Sequence, residues 1–185
     1  MSLESTSRVA TKDYDWSIGS PYIGLKTTQM ANTYSQLYIH LVFAVQGRQH
    51  LIGEAVRERL QQYLCGITLE YQHKPLAIYC MPDHVHFLVG LNPDQSIADL
   101  VQRLKAGSSK WLNENHLLAG RFEWQRGYGA FSYACSQLDQ VVGYMLRQPE
   151  HHQRRSFREE YLELLERFGV EYDSRYVFSW PDAAP

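Results

Sequence analysis

Apolar and polar positions alternate between two periods along this chain, and the switches between them mark its elements. Gln36 to Val45 reads Gln-Leu-Tyr-Ile-His-Leu-Val-Phe-Ala-Val. A run this rich in β-branched and aromatic residues predicts a central strand. Glu54 to Cys65 changes to a helical period, with Val56, Leu60, Tyr63 and Leu64 on one face and Gly66 placed to end the helix. Lys74 to Met81 predicts a second strand. Pro82-Asp83 breaks it, and His84 to Leu91 returns as a third, which suggests a hairpin. Ser96, with Asp99 three residues on, resembles a capping box that opens a helix from Ile97 to His116, although Gly107-Ser108-Ser109 interrupts its propensity. After an aromatic and basic loop from Arg121 to Gly129, Phe131 to Ala134 predicts a short fourth strand. Ser136 caps a helix from Gln137 to Gln148, which Pro149 follows. A last amphipathic helix runs from Phe157 to Phe168 and stops at Gly169. The aromatic tail from Tyr172 to Trp180 is expected to pack onto the body.

This order is β-α-β-β-α-β followed by two helices. It predicts an α+β, ferredoxin-like antiparallel sheet with helices on one face, plus C-terminal helices. Residues 1–29 show neither period and contain a Gly-Ser-Pro break at Gly19-Ser20-Pro21. They are expected to be a disordered extension, with residues 30–180 forming a single domain and Met30 a possible natural start.

Composition narrows the class. A chain of 185 residues with 44% hydrophobic and 21% charged residues fits a soluble globular protein. No apolar run is long enough to span a bilayer, and the start lacks the basic-then-apolar order of a signal peptide. Cys65, Cys80 and Cys135 are scattered singly, which argues against a zinc ribbon or a disulfide framework and makes a reducing cytoplasm the default location. The net charge of −2 means that any contact with nucleic acid must be local.

The candidate chemistry begins at Met81-Pro82-Asp83-His84-Val85-His86. On a strand, His84 and His86 share a face and form half of a metal site. His40, inside the first strand, reads as a core histidine with room for a role at the site. On the helix from Gln137 to Gln148, Leu138, Val141, Val142, Met145 and Leu146 form the core stripe. Tyr144 points well away from that stripe, and Gln148 lies one turn further on the same side. Two imidazoles and an amide oxygen leave positions open on a divalent ion for phosphate oxygens. A tyrosine beside such an ion can attack a phosphodiester and hold it as a phosphotyrosine.

The stretch Pro82-Asp83-His84-Val85-His86 resembles the His-hydrophobic-His motif of the HUH superfamily of single-strand nucleases. More narrowly, it resembles the insertion-sequence-two-hundred-like, single-tyrosine transposases. Four other stretches are similar to that family: Tyr34 to Ala44, Leu104 to Trp111, Trp124 to Ser132, and Tyr144 to Gln148 with His151-His152. The resemblance covers about residues 30–178. It implies Tyr144 as the nucleophile that forms a 5′-phosphotyrosine and frees a 3′-hydroxyl. It implies His84, His86 and Gln148 as ligands of Mg²⁺ or Mn²⁺, with Asp83 either orienting a ligand histidine or serving as an ordinary turn residue. It also implies a homodimer whose active sites are shared in trans, acting on single-stranded DNA hairpins at element ends, in the bacterial cytoplasm and on the nucleoid when bound to DNA. Arg147 departs from the family pattern, which often has a small polar residue before the glutamine. Arg103, Lys105, Lys110, Arg121 and Arg126 are candidate DNA contacts, with Trp124 or Tyr128 for base stacking. Three alternatives stay open: a host-linked relative acting on repetitive palindromic elements, a catalytically silent hairpin-binding protein, and, weakest, a water-using metallohydrolase. The last is weakest because no strong third or fourth protein ligand follows the histidine pair at a recognisable spacing.

Overall fold

The computed structural model describes residues 34–152, 155–173 and 177. The expected extension at 1–29 and most of the tail from Tyr172 to Trp180 lie outside these residues. Four strands form one sheet: β1 (Tyr38–Ala44), β2 (Lys74–Cys80), β3 (His84–Gly90) and β4 (Gly129–Tyr133), in the order β2-β3-β1-β4 with every neighbour antiparallel. This is the ferredoxin-like order.

Alternation along the central strands divides their side chains between two different layers. Leu41 and Phe43 of β1 and Val85, Phe87 and Val89 of β3 face one way. They build the larger core with α1 (Glu54–Glu70) and α2 (Ile97–Glu114). Full burial of each such side chain contributes roughly 1.5–3 kcal/mol. His40, Val42 and Ala44 stand opposite Leu88, His86 and His84 and face the other way. The C-terminal helices cover this second face. α3 (Leu138–Leu146) packs Leu138, Val141, Val142 and Met145 around Leu88, and α5 (Phe157–Arg167) packs Phe157, Tyr161, Leu164 and Leu165 on Val42 and Ala44. The helices expected on one face are α1 and α2. The later helices close a third layer over the face that carries the histidines.

Several boundaries differ from expectation. α1 runs through Gly66 to Glu70, so the glycine does not terminate it. β4 starts two residues early, at Gly129, which pairs with Val42 of β1, and that backbone passes tight against aromatic rings. A Cβ there would stand 2.9 Å from Phe131 and from Tyr161. α2 is unbroken through Gly107-Ser108-Ser109, where small residues let it pack closely on α1. A Cβ on Gly107 would lie 2.9 Å from Ile67 Cδ1. Ser108 Oγ donates to the Leu104 carbonyl at 2.6 Å and accepts from Trp124 Nε1 at 2.8 Å. The expected cap holds: the Asp99 amide donates to Ser96 Oγ at 3.0 Å.

The tyrosine helix is the largest departure. A 3-10 turn over Cys135–Gln137 leads into α3, which ends at Leu146, and a separate helix, α4 (Gln148–His152), follows. Pro149 has no amide hydrogen to continue the ladder, yet it is tolerated in the first turn of α4. Leu146, expected in the core stripe, is 61% exposed at the break. Val177, from the expected packing tail, rests against the α5 cluster.

Candidate active site

His84 and His86 are fully buried, with ring centroids 5.0 Å apart, under the layer formed by α3, α4 and α5. His84 Nδ1 lies 2.6 Å from Asp83 Oδ1. An ionised carboxylate can only accept, so the proton sits on Nδ1 and Nε2 keeps its lone pair. Arg48 holds Asp83 from behind, donating through Nε at 3.0 Å and also through Nη2, while its guanidinium lies 3.9 Å from the centre of the Phe157 ring. Burial opposes ionisation of Asp83, but His84 and Arg48 together hold its carboxyl well below the usual range. Burial pushes His84 down to about 3, so its imidazole is neutral at neutral pH.

His86 has a different support. Its Nδ1 lies 3.0 Å from Nε2 of His40, which is also fully buried and which burial, followed by His86 itself, lowers to about 3. With His86 Nδ1 as donor and His40 Nε2 as acceptor, His86 Nε2 is left with a lone pair. His40, read from the sequence as a core histidine, therefore also braces the site.

Tyr144 and Gln148 reach this pair within the same chain. Despite the helix break they converge on one carboxylate: Glu160 Oε1 accepts from the Tyr144 phenol and, at 2.7 Å, from Gln148 Nε2. The other oxygen, Oε2, stands 2.9 Å from His152 Nε2 and 3.5 Å from His86 Nε2. Burial resists the charge on Glu160, but His86, His152 and Tyr144 hold it far below the ordinary carboxylate range. Burial, then the Glu160 charge, pushes the Tyr144 phenol strongly up.

The arrangement fits a cation. Nε2 of His84, His86 and His152, Oε1 of Gln148 and Oε2 of Glu160 are all buried and make no hydrogen bond of acceptable geometry. Left so, each costs about 1–3 kcal/mol. Ligand atoms of His84, His86, His152 and Glu160 all lie within 4.8 Å of one another. Beyond Gln148, which the resemblance implies, the sequence spacing points to no strong further ligand for the histidine pair, and the fold supplies two candidates. One signal for Glu160 was present: it sits on the apolar stripe of α5, between Phe157 and Tyr161, where a carboxylate is out of place.

The expected DNA contacts are distributed differently. Trp124 is a core residue, edge-on to Phe43 and Phe122 and bonded to Ser108, so it offers no stacking face to solvent. Lys105 braces the loop after it, donating to the carbonyls of Gln125, at 2.9 Å, and Gly127, and burial lowers it to about 8. Arg103 packs over Tyr71, at 4.0 Å, and Lys110 pairs with Glu114. Both are on α2, which covers the sheet face away from the histidines. Arg121 pairs with Glu123 on the surface, while Arg126 and Tyr128 are exposed. A cavity of about 550 Å³ opens beside Tyr144 instead, and Arg147, Arg155 and Arg167 line it together with Gln140, His152 and Glu163.

Residues 33–148 match the family described as transposase, IS200 like. The chain is 33% identical over 75 residues to the ISDra2 transposase TnpA of Deinococcus radiodurans, a match covering 40% of this chain and 54% of that protein, so the chain spans about half the length of this curated relative. A crystal structure from D. radiodurans R1 assigned as a transposase is similar at 25% identity with a TM-score of 0.53, covering 66% of this chain and 98% of that one. A REP-associated tyrosine transposase bound to a REP hairpin shares the fold at 12% identity and a TM-score of 0.50, over 68% of this chain and 74% of its own. With a sheet of this order, a histidine pair on its central strand and a match over most of its length, the chain belongs to the IS200-like transposase family.

Proposed function

We propose that this protein cleaves and rejoins single-stranded DNA at hairpin-marked element ends through a 5′-phosphotyrosine intermediate. The observation that carries the proposal is the convergence of Tyr144 and Gln148 on Glu160 beside His84 and His86. Tyr144 Oη forms a bond to phosphorus, the bond from phosphorus to the 3′-oxygen breaks, and that oxygen leaves as a 3′-hydroxyl. The phenol, held in place by its hydrogen bond to Glu160 Oε1, gives up its proton to solvent as the new bond forms, and a proton from solvent completes the 3′-hydroxyl. The new ester preserves the energy of the old one, so a second 3′-hydroxyl can reverse the step without ATP. A divalent ion, Mg²⁺ or Mn²⁺, held by His84, His86 and Gln148 would neutralise phosphate charge and steady the leaving oxygen. Asp83 and His40 fix the two imidazoles that hold it. The arginine-lined cavity beside Tyr144 is suited to the strand that carries the scissile phosphate.

The working unit in this proposal is a homodimer, in which α3 and α4 serve the partner's histidine pair as well as their own. Mixing Tyr144→Phe with His86→Ala protein tests this. Restored activity in the mixture requires trans sharing, and no restoration means that one chain suffices. With DNA as substrate, the protein works in the cytoplasm and at the nucleoid. No helix among the described residues is long and apolar enough to cross a membrane.

The decisive experiment uses labelled single-stranded hairpin DNA with Mn²⁺ and a denaturing gel. The expected result is a covalent adduct that disappears in Tyr144→Phe. An adduct that survives this substitution overturns the mechanism. Intact Tyr144, His84, His86 and Gln148 weigh against a silent hairpin-binding protein. The same gel, run with element ends against dispersed palindromic repeats, separates a mobile enzyme from a host-linked one.

A further inference from the structure

We propose that His152 and Glu160 are direct ligands of the same ion as His84 and His86, forming a centre of three imidazoles and one carboxylate that takes a first-row transition ion in preference to Mg²⁺. The proposal rests on the metal-dependent reading above for the ion itself and goes beyond it in the ligand set.

Both added residues lie beyond residues 33–148, although His151-His152 belongs to one of the stretches that resemble the family. They arrive on α4 and α5, and the short link at Arg147 that separates α3 from α4 turns His152 over the histidine pair. The His152 ring lies 4.8 Å from that of His84, centroid to centroid. A four-coordinate ion with bonds of 2.0–2.1 Å sets its ligand atoms about 3.4 Å apart. His86 Nε2 is 3.5 Å from Glu160 Oε2, and His152 Nε2 is 2.9 Å from it. The remaining spacings reach no further than 4.8 Å, so the four groups can converge on one ion, and a five-coordinate ion keeps a position open for a phosphate oxygen.

Energetics favour the same assignment. Glu160 is only 5% exposed, on a helix face otherwise packed with Phe157, Tyr161 and Leu164. A carboxylate buried there is stabilised by a divalent cation next to Oε2, the oxygen left without a hydrogen bond. Donor chemistry then selects the ion. Mg²⁺ prefers oxygen ligands and keeps its waters, and Mn²⁺ shares the oxygen preference, whereas imidazole suits Zn²⁺ and the later first-row ions better. The position of Oε1 adds a consequence: because it accepts from Tyr144, one carboxylate would link the ion to the nucleophile.

The test is binding of ions to metal-free protein, followed by calorimetry and, for Co²⁺, by visible absorption. Wild-type protein is expected to show the intense Co²⁺ bands of a four- or five-coordinate site and to bind Co²⁺ and Zn²⁺ far more tightly than Mg²⁺. His152→Ala and Glu160→Gln should each weaken Co²⁺ binding by at least about tenfold and alter the bands. If both variants bind like wild type while His84→Ala does not, the extra ligands are wrong and the transposase reading stands. If wild type binds no ion, or His84→Ala and His86→Ala also bind like wild type, both readings fall. Circular dichroism monitors folding. Should Glu160→Gln unfold, His152→Ala decides alone, because its side chain stands at the cavity edge with 13% exposure.

Discussion

The Tyr144 phenol donates to Glu160, and the two residues come from helices that the sequence separates by the break at Arg147 and the link beyond α4. The proposed nucleophile is thus held as a neutral phenol by an ionised acceptor. Burial and that charge both raise its pKa above the ordinary value of 10. In metal-free protein, the difference between wild-type and Tyr144→Phe ultraviolet titrations should show no tyrosinate step near pH 10. A full step at pH 10 in that difference would mean that the phenol is solvated and the contact with Glu160 is absent.

The buried histidines predict an acid-sensitive metal-free fold. His40 and His84 titrate near 6.5 when unfolded and near 3 when folded, in both cases because burial disfavours the charged ring. Between those values the unfolded chain binds protons that the folded chain refuses. Stability is therefore complete above pH 6.5 and falls as the pH drops toward 3, by up to about 1.4 kcal/mol per pH unit for each ring. The depressed carboxyls of Asp83 and Glu160 act in the same direction but only below the ordinary carboxylate range. The urea midpoint should drop clearly from pH 7.5 to 5. A flat midpoint over that interval would contradict the burial of these rings as neutral groups.

Asp83 has one oxygen on His84 and the other on Arg48. Asp83→Asn keeps the shape and removes the charge that fixes the His84 tautomer. Losing such a partner costs about 10–100-fold in metal affinity. Calorimetry with Mn²⁺ should register that loss, with Arg121→Ala, at the surface, unchanged. Wild-type affinity in Asp83→Asn would reduce Asp83 to an ordinary turn residue.

The topology and half of the site were legible because they depend on local pattern. Period-two and period-3.6 stretches place all four strands and the main helices within a few residues, and strand alternation puts His84 beside His86. The tyrosine helix gave up Tyr144 because its ring leaves the apolar stripe. What stayed hidden depends on packing. Trp124 looked like a stacking platform in a basic loop, yet its indole has Phe43, Phe122 and the Ser108 hydroxyl as neighbours, and only the fold brings these together. Glu160 and His152 share no spacing with the histidine pair, because the sheet and the C-terminal layer set their proximity. The available clues were a glutamate on an apolar stripe and the place of His152 in a stretch that resembles the family.

Contacts with DNA should follow the cavity rather than the basic residues of α2. Arg147 and Arg167 line the opening beside Tyr144, whereas Arg103 and Lys110 lie on the far side of the sheet. A phosphate contact contributes through counterion release, so each one lost lowers the slope of log affinity against log salt by about 0.7 on single strands. Arg147→Ala and Arg167→Ala should therefore weaken binding of a single-stranded oligonucleotide, lessen its salt dependence, and do so alike for different sequences. Arg103→Ala and Lys110→Ala should leave both quantities near wild type. Fluorescence anisotropy across a salt series measures both. If the α2 variants lose affinity while the cavity variants keep it, the strand crosses the opposite face of the sheet and must reach Tyr144 around its edge.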